Sequence, residues 1–346
     1  MKLRIVGLDF LRFIFSLLIC AFHFFEGENW IDWAWVATNF FFMLSGFVLY
    51  EQVNSKSQDF AFYNFIIKRM ARIYPTLIFC LLLRLILAVL EVTKELYSGQ
   101  SGKSSAFAEY FPVDYLLTFF LLQFIFPVTT ALITPLWSLA AEYWVSLVVF
   151  LMAGFRSTFR ISLGIVLGLT MILFSGYLFN NGFMDWSTGG AWCFGVGRVV
   201  LFFFVGALMR SKSQYLLRAS YTCYNLAIIL SLALSIYSWL HFKSGFLIPS
   251  SVFFISLVSI SFKIAQFRDM KRYSLIGDFL AKISFPIFAL HILIYYPTPF
   301  IEELTGKVVS FIILTSFTCI ISAFFVKYIE KRIANVFYKF GRFQNP

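Results

Sequence analysis

Charged and titratable side chains interrupt the first long apolar run of this 346-residue chain. In GLDFLRFIFSLLICAFHFFE, Gly7 to Glu26, they fall at Asp9, Arg12 and His23, with the hydroxyl of Ser16 between them. Spacings of three, four and seven place all four on one face of an α-helix. Arg12 and His23 then stand about 16 Å, or about three turns, apart along that face. An imidazole there can take a proton from a hydroxyl near neutral pH. Ionisable groups in lipid are costly, so a stripe of them points to a functional path rather than a passive anchor. The plainer reading pairs Asp9 with Arg12 and has His23 hydrogen-bond a neighbouring helix.

Three further clusters could carry chemistry. KRMARIYP at 68–75 puts Arg69 and Arg72 on one face, with Pro75 expected at a helix start. Forked guanidinium donors suit phosphate, although basic residues at such a place commonly just set topology. PLWSLAAEYW at 135–144 carries Glu142 into a span. That carboxylate needs a partner such as His23, Arg84 or Arg198, or a proton, while Ser138 is expected as the helix N-cap. FPIFALHILIY at 285–295 holds His291 mid-span, where a lone histidine is commonly a satisfied core residue. The glycines of GGAWCFGVG at 189–197 precede no βαβ unit, so they read as helix packing rather than a nucleotide fingerprint.

The elements that must position these groups follow from composition. Hydrophobic residues make up 60% of the chain, 47 of them Phe, and charged residues only 13%, too few to cover a soluble domain of this size. The fold class expected is an all-α polytopic membrane protein. Apolar runs near 8–27, 34–52, 73–92, 134–154, 161–180, 191–209, 221–241, 246–262, 279–298 and 308–326 give ten crossings. The Pro-bounded stretch 113–127 is shorter and reads as re-entrant or interfacial.

With both termini in the cytoplasm, most of the 28 Lys and Arg residues fall on cytoplasmic segments. Counting 113–127 as a crossing would reverse every later loop and place three basic clusters outside. The net charge of +11 therefore reflects loops facing anionic lipid, not nucleic-acid binding. Asp9, Arg12 and His23 break any signal-peptide core, so the first run is expected to stay as helix one. One membrane domain, 1–326, precedes a basic and aromatic interfacial tail, 327–346. The 93–112 loop, about 20 residues with Gly and Ser, is long enough to be functional or disordered. The five cysteines show no C-x-x-C spacing and read as packing residues, with no metal site.

The order of these motifs is more specific than any one of them. LDFLRFIFSLLICAFH, FFFMLSGFVL, RMARIYP, PLWSLAAEYW and ISFPIFALH together resemble the membrane-bound acyltransferase-3 family over nearly the whole chain. The resemblance implies a ten-helix enzyme that acylates sugars of surface glycans or other small acceptors. It implies that His23 is the catalytic histidine, that Arg12 belongs to its motif, and that Arg69 and Arg72 form an R-x-x-R pair. Trp137, Ser138 and Glu142 match the W-S-L…E motif, and His291 a late-helix histidine. Phe10 and Phe13 depart from the pattern, flanking Leu11-Arg12 where the family often has glycine. No appended hydrolase-like domain is visible, so acceptor choice is expected to rest on the membrane domain or a partner.

The mechanism expected has acyl-CoA as donor substrate, with no permanently bound cofactor. Its phosphates lie at Arg69 and Arg72 with Arg12 nearby, and the thioester reaches His23. The imidazole deprotonates an acceptor hydroxyl or briefly carries the acyl group, and Glu142 orients it. Expected partners are acyl-CoA, most simply acetyl-CoA, a carbohydrate acceptor, the bilayer of a bacterial inner membrane and a further copy of the chain. A transporter or flippase of a polysaccharide or lipid-linked sugar could also bury charges along a pathway, but would move substrate without consuming thioester. In a structural or sensory protein, the buried groups would be replaceable in pairs by apolar residues.

Overall fold

The computed structural model describes residues 5–54, 62–98, 112–123, 132–178, 189–242, 247–267 and 271–342, and these contain helices and no strand. Helix α1 (Val6–Phe24) leads through a 3-10 turn (Asp32–Val36) into α2 (Ala37–Asn54). Helix α3 (Phe62–Ser98) is followed by the short α4 (Val113–Phe119), then α5 (Leu136–Leu151), α6 (Ser157–Leu178) and α7 (Gly189–Ser211). After α8 (Ser213–Arg218) come α9 (Tyr221–Phe242), α10 (Leu247–Phe267) and α11 (Lys271–Ile294). The chain closes with α12 (Thr298–Thr305), α13 (Lys307–Phe325), a π-helical turn (Val326–Glu330) and α14 (Lys331–Arg342).

Among the described residues ten helical segments are long and apolar enough to cross a membrane, in the places the apolar runs predict. Two boundaries differ from expectation. Pro75 does not start a helix: α3 begins at Phe62 and carries it inside. A mid-helix proline costs one backbone hydrogen bond, because it has no N–H for the carbonyl four residues earlier. The helix tolerates this, and so holds Arg69 and Arg72 rigidly one turn apart. Nor does Ser138 cap α5, which starts at Leu136; its hydroxyl donates back to the Pro135 carbonyl at 2.9 Å. The seven residues of α4 are too few to cross. Residues 124–127 of the 113–127 segment, and 99–111 of the 93–112 loop, lie outside the described residues.

Lipid tails are as apolar as leucine side chains, so helix association in a bilayer depends on close packing rather than on escape from water. The α2–α7 contact shows this most plainly. A Cβ on Gly46 would lie 1.7 Å from the Phe203 carbonyl oxygen, and one on Gly206 would lie 1.8 Å from that of Met43. Only glycine permits the two backbones to come so near. Aromatic rings tie α1 to the same layer: Phe15 packs on Phe40 of α2 at 4.6 Å and edge-on to Phe254 of α10 at 5.3 Å. Helix α1 also lies along α11, which brings its polar stripe against the second half of the chain.

Cys20 and Cys80 are buried packing residues as expected, whereas Cys223 is exposed on α9, a helix with little of its surface buried. Helix α14 continues α13 through the π turn and packs against α3, with Phe337 on Tyr74 at 5.5 Å.

Replacing Gly46 by Ala is expected to destabilise the purified protein by about 1–3 kcal/mol or more, because a backbone carbonyl cannot move aside as a side chain can. Thermal melting in detergent measures this. Gly154→Ala, where a Cβ meets nothing within 4 Å, is expected to leave the transition unchanged.

Candidate functional site

Arg12, Arg69 and Arg72 converge on a cavity of about 90 Å³ enclosed by α1, α2, α3, α5 and α11. Ser45, Ser138 and Glu142 also line it, with Phe41, Phe285 and Phe288 among its apolar lining. Two wider spaces adjoin it, of about 430 and 290 Å³, and Arg12 and Arg72 line both of these as well. The two guanidiniums therefore border all three spaces, with Arg72 exposed and Arg12 partly so.

Glu142 supplies the acceptor that Arg69 needs. Arg69, 7% exposed, donates from Nη2 to Glu142 Oε1 at 3.2 Å, and the hydroxyl of Ser45 donates to the same oxygen at 2.6 Å. Glu142 thus pairs with none of the three partners expected for it. Arg84 is engaged by Glu91 at 3.4 Å, and Arg198 by Asn39 and Thr38. The reason is helical register: Glu142 lies on the α5 face turned to α3, one turn beyond Ser138, which lines the same cavity. Its contacts assign it to the arginine cluster and do not connect it to His23.

Arg198 on α7 has neutral partners. It donates to Asn39 Oδ1 from Nε at 3.0 Å and Nη2 at 2.9 Å, and to the Thr38 hydroxyl at 2.7 Å. Its guanidinium lies 4.0 Å above the Trp35 ring. Thr38 in turn lines the cavity, so Arg198 fixes the start of α2 beside it.

The two histidines form a separate pair. The rings of His23 and His291 lie 5.3 Å apart between centroids, inclined by 32°. His291 is wholly buried, and its Nδ1 lies 3.2 Å from the Ile287 carbonyl. A carbonyl only accepts, so this hydrogen bond puts the proton on Nδ1 and leaves a lone pair on Nε2. That Nε2 is buried with no hydrogen-bond partner among the described residues, so within them His291 is not the satisfied core residue that a lone histidine suggests. Phe288 connects the groups: it lines the arginine cavity, and its ring is 6.4 Å from that of His291. Tyr295, 5.6 Å from His291, is held by a hydrogen bond with Thr315 at 2.8 Å.

The remaining stripe residues have quieter places. Asp9 and Arg12 form the expected i,i+3 ion pair, at 3.8 Å, and Asp9 borders the 430 Å³ space with Arg12 and Arg72. Ser16 is fully buried and bonds its own helix, donating to the Arg12 carbonyl at 2.7 Å. Trp137 packs in the apolar layer formed by α1, α2 and α10 and does not line the cavity. Sequence reasoning missed Ser45 and Phe288 as individual site residues. Ser45 had a signal, as a Ser-Gly step in an otherwise apolar run, whereas nothing sets Phe288 apart among so many phenylalanines.

Comparison with known proteins adds one finding. A family model described as an acyltransferase domain, that of acyltransferase family 3, matches residues 5–327. No curated protein and no solved structure matches the chain.

Removing one member of a buried ion pair strands the other, whereas replacing both with apolar groups is often neutral or stabilising. Glu142→Leu or Arg69→Met alone is expected to cost about 3–5 kcal/mol. The double variant is expected to melt above either single one, and melting curves of the three proteins in detergent test this. Additive losses would show that the two side chains do not act as a pair.

Proposed function

Given that the chain belongs to acyltransferase family 3, we propose that it moves an acyl group, most simply acetyl, from acyl-CoA to a hydroxyl of an extracytoplasmic carbohydrate. It is a multi-pass membrane acyltransferase; the donor, the acceptor and the residue roles that follow are our reading. The observation that carries it is the path from Arg12, Arg69 and Arg72 to Phe288, which stands beside the His23–His291 pair.

On this reading the termini lie in the cytoplasm of a bacterial cell, in keeping with the concentration of Lys and Arg on the loops of that side. Arg12, Arg69 and Arg72 take the phosphates of the donor by charge-assisted, forked hydrogen bonds. Glu142 and Ser45 hold Arg69 in place, so Glu142 is a positioning residue for the donor site. The pantetheine arm runs along the polar face of α1, and the roughly 16 Å from Arg12 to His23 is a length such an arm can span. Held there, the thioester meets a hydroxyl arriving from the other side, and the reaction gains from fixed proximity.

The chemistry balances without a bound cofactor. His23 takes the proton of the acceptor hydroxyl as its oxygen attacks the thioester carbonyl. The C–S bond breaks, and the imidazolium returns the proton to the departing thiolate, so that an ester and free CoA leave. Attack by the imidazole itself would first give an acyl-histidine and the thiol, then the same products once the hydroxyl displaces the imidazole. In either route His291, its Nε2 lone pair open, orients His23 or the hydroxyl.

Full-length protein given acetyl-CoA and a polysaccharide acceptor is expected to release free CoA, measured with a thiol reagent. His23→Ala is expected to lower that rate by at least about a hundredfold. Proton NMR of surface glycans from cells lacking the protein is expected to show a missing O-acetyl signal. Wild-type turnover by His23→Ala would overturn the role of His23. Acceptor movement across vesicles without thioester loss would mean transport instead.

A further inference from the structure

The two wider spaces at the arginine end differ in charge. The larger is bordered by Arg12, Arg72 and Lys282 and by Asp9, Asp278 and Glu330, so its cations and acids are equal in number. Two of its pairs are ion-paired, Lys282 with Asp278 at 2.5 Å and Arg12 with Asp9 at 3.8 Å. The smaller space, about 290 Å³, is bordered by Arg12, Lys68, Arg69 and Arg72 and, among the described residues, by no acidic one; Glu142 reaches Arg69 from the inner cavity. A ligand bearing several phosphates is therefore drawn to the smaller space.

Two aromatic residues line that space, and only one of them shows a ring to it. Phe65 of α3 is buried at 1% exposure, whereas Tyr338 of α14 is 43% exposed. Its neighbour Phe337 is fixed on Tyr74 of α3, two residues beyond Arg72, so the helix presenting Tyr338 is anchored to the one presenting Arg69 and Arg72. Successive residues on a helix point about 100° apart, which turns Tyr338 from that packed face towards the opening. The π turn at Val326–Glu330 adds a residue to the ladder just before α14, a device common at functional sites. Four cations around a space with one exposed aromatic face make the recognition chemistry of a phosphorylated nucleoside: cations for phosphate, ring for base.

We propose that Tyr338 is the base-stacking residue of the donor site, and that the nucleotide end of the donor lodges between α3 and α14 with its phosphates on Lys68, Arg69 and Arg72. This rests on the acyl-CoA reading above and adds to it a binding role for the C-terminal helix. A volume of about 290 Å³, near the roughly 300 Å³ lower bound of ligand clefts, suits one end of such a donor, leaving the arm to the inner cavity.

The test compares binding of two probes to the full-length protein in detergent: coenzyme A, and 4′-phosphopantetheine, which has the arm but no nucleoside. Tyr338→Ala is expected to weaken coenzyme A about tenfold and to leave 4′-phosphopantetheine unchanged. Tyr338→Phe and Tyr338→Trp, which keep a ring, are expected to stay within about twofold of wild type. Equal weakening of both probes by Tyr338→Ala, or no weakening of coenzyme A, would overturn the assignment while leaving the donor reading intact. If the wild-type protein binds neither probe, the donor reading itself fails, and the assignment of Tyr338 falls with it. A melting curve of Tyr338→Ala separates lost stacking from lost fold.

Discussion

A guanidinium buried in a membrane protein must find its acceptor inside the protein, and the site is arranged around the answer for Arg69. Its ion pair with Glu142, shared with the hydroxyl of Ser45, ties α3, α5 and α2 together at one depth. Desolvating two charges costs several kcal/mol per ion, so such a pair is poor evidence for stability by itself. Its effect here is geometric. With Glu142 committed to one nitrogen of Arg69, that side chain stays beside Arg12 and Arg72 and lines the cavity with them.

The same constraint explains the treatment of the other charges. Arg198, without a carboxylate partner among the described residues, is met by Asn39, Thr38 and the face of Trp35, and these neutral groups leave more positive potential near the cavity than a carboxylate would. Arg12, ion-paired with Asp9 at 3.8 Å, borders all three spaces. Among the described residues, Glu142 is the acidic residue that lines the inner cavity with the three arginines. The tight α2–α7 crossing supports this arrangement mechanically, because Ser45 and Gly46 are adjacent and the contact that seats one backbone also seats the hydroxyl next to it.

How much of this was legible in the sequence depends on whether the signal was periodic or relational. Ten spans and the single polar face of α1 were legible, since hydropathy and a spacing of three and four residues are local properties. Partner choice was not. Glu142 could have met any of several arginines, and only the packing of α5 on α3 decides for Arg69. Pro75 was misread because proline is best tolerated at a helix start, whereas a 37-residue helix can absorb one missing bond. Ser138 was misread for a related reason: a serine near a helix start caps it only if it precedes the first turn, and here Pro135 takes that place. His291 was undervalued because whether a histidine is satisfied depends on neighbours 200 and more residues away.

The separation of the arginines from the histidines then acquires a physical sense. Phosphate binding wants exposed cations near water, and proton transfer wants an imidazole screened from it, so one water-filled cavity would serve both poorly. Phe288 gives the arginine cavity an apolar surface, and His291 lies beside that ring, wholly buried. On the acyl-CoA reading proposed above, that apolar surface stands between the donor's phosphates and the histidines, and a thioester held behind it would meet the acceptor hydroxyl with less competition from water, which favours transfer over hydrolysis. On that reading Phe288 is as much a part of the site as the charged groups it separates from the histidines.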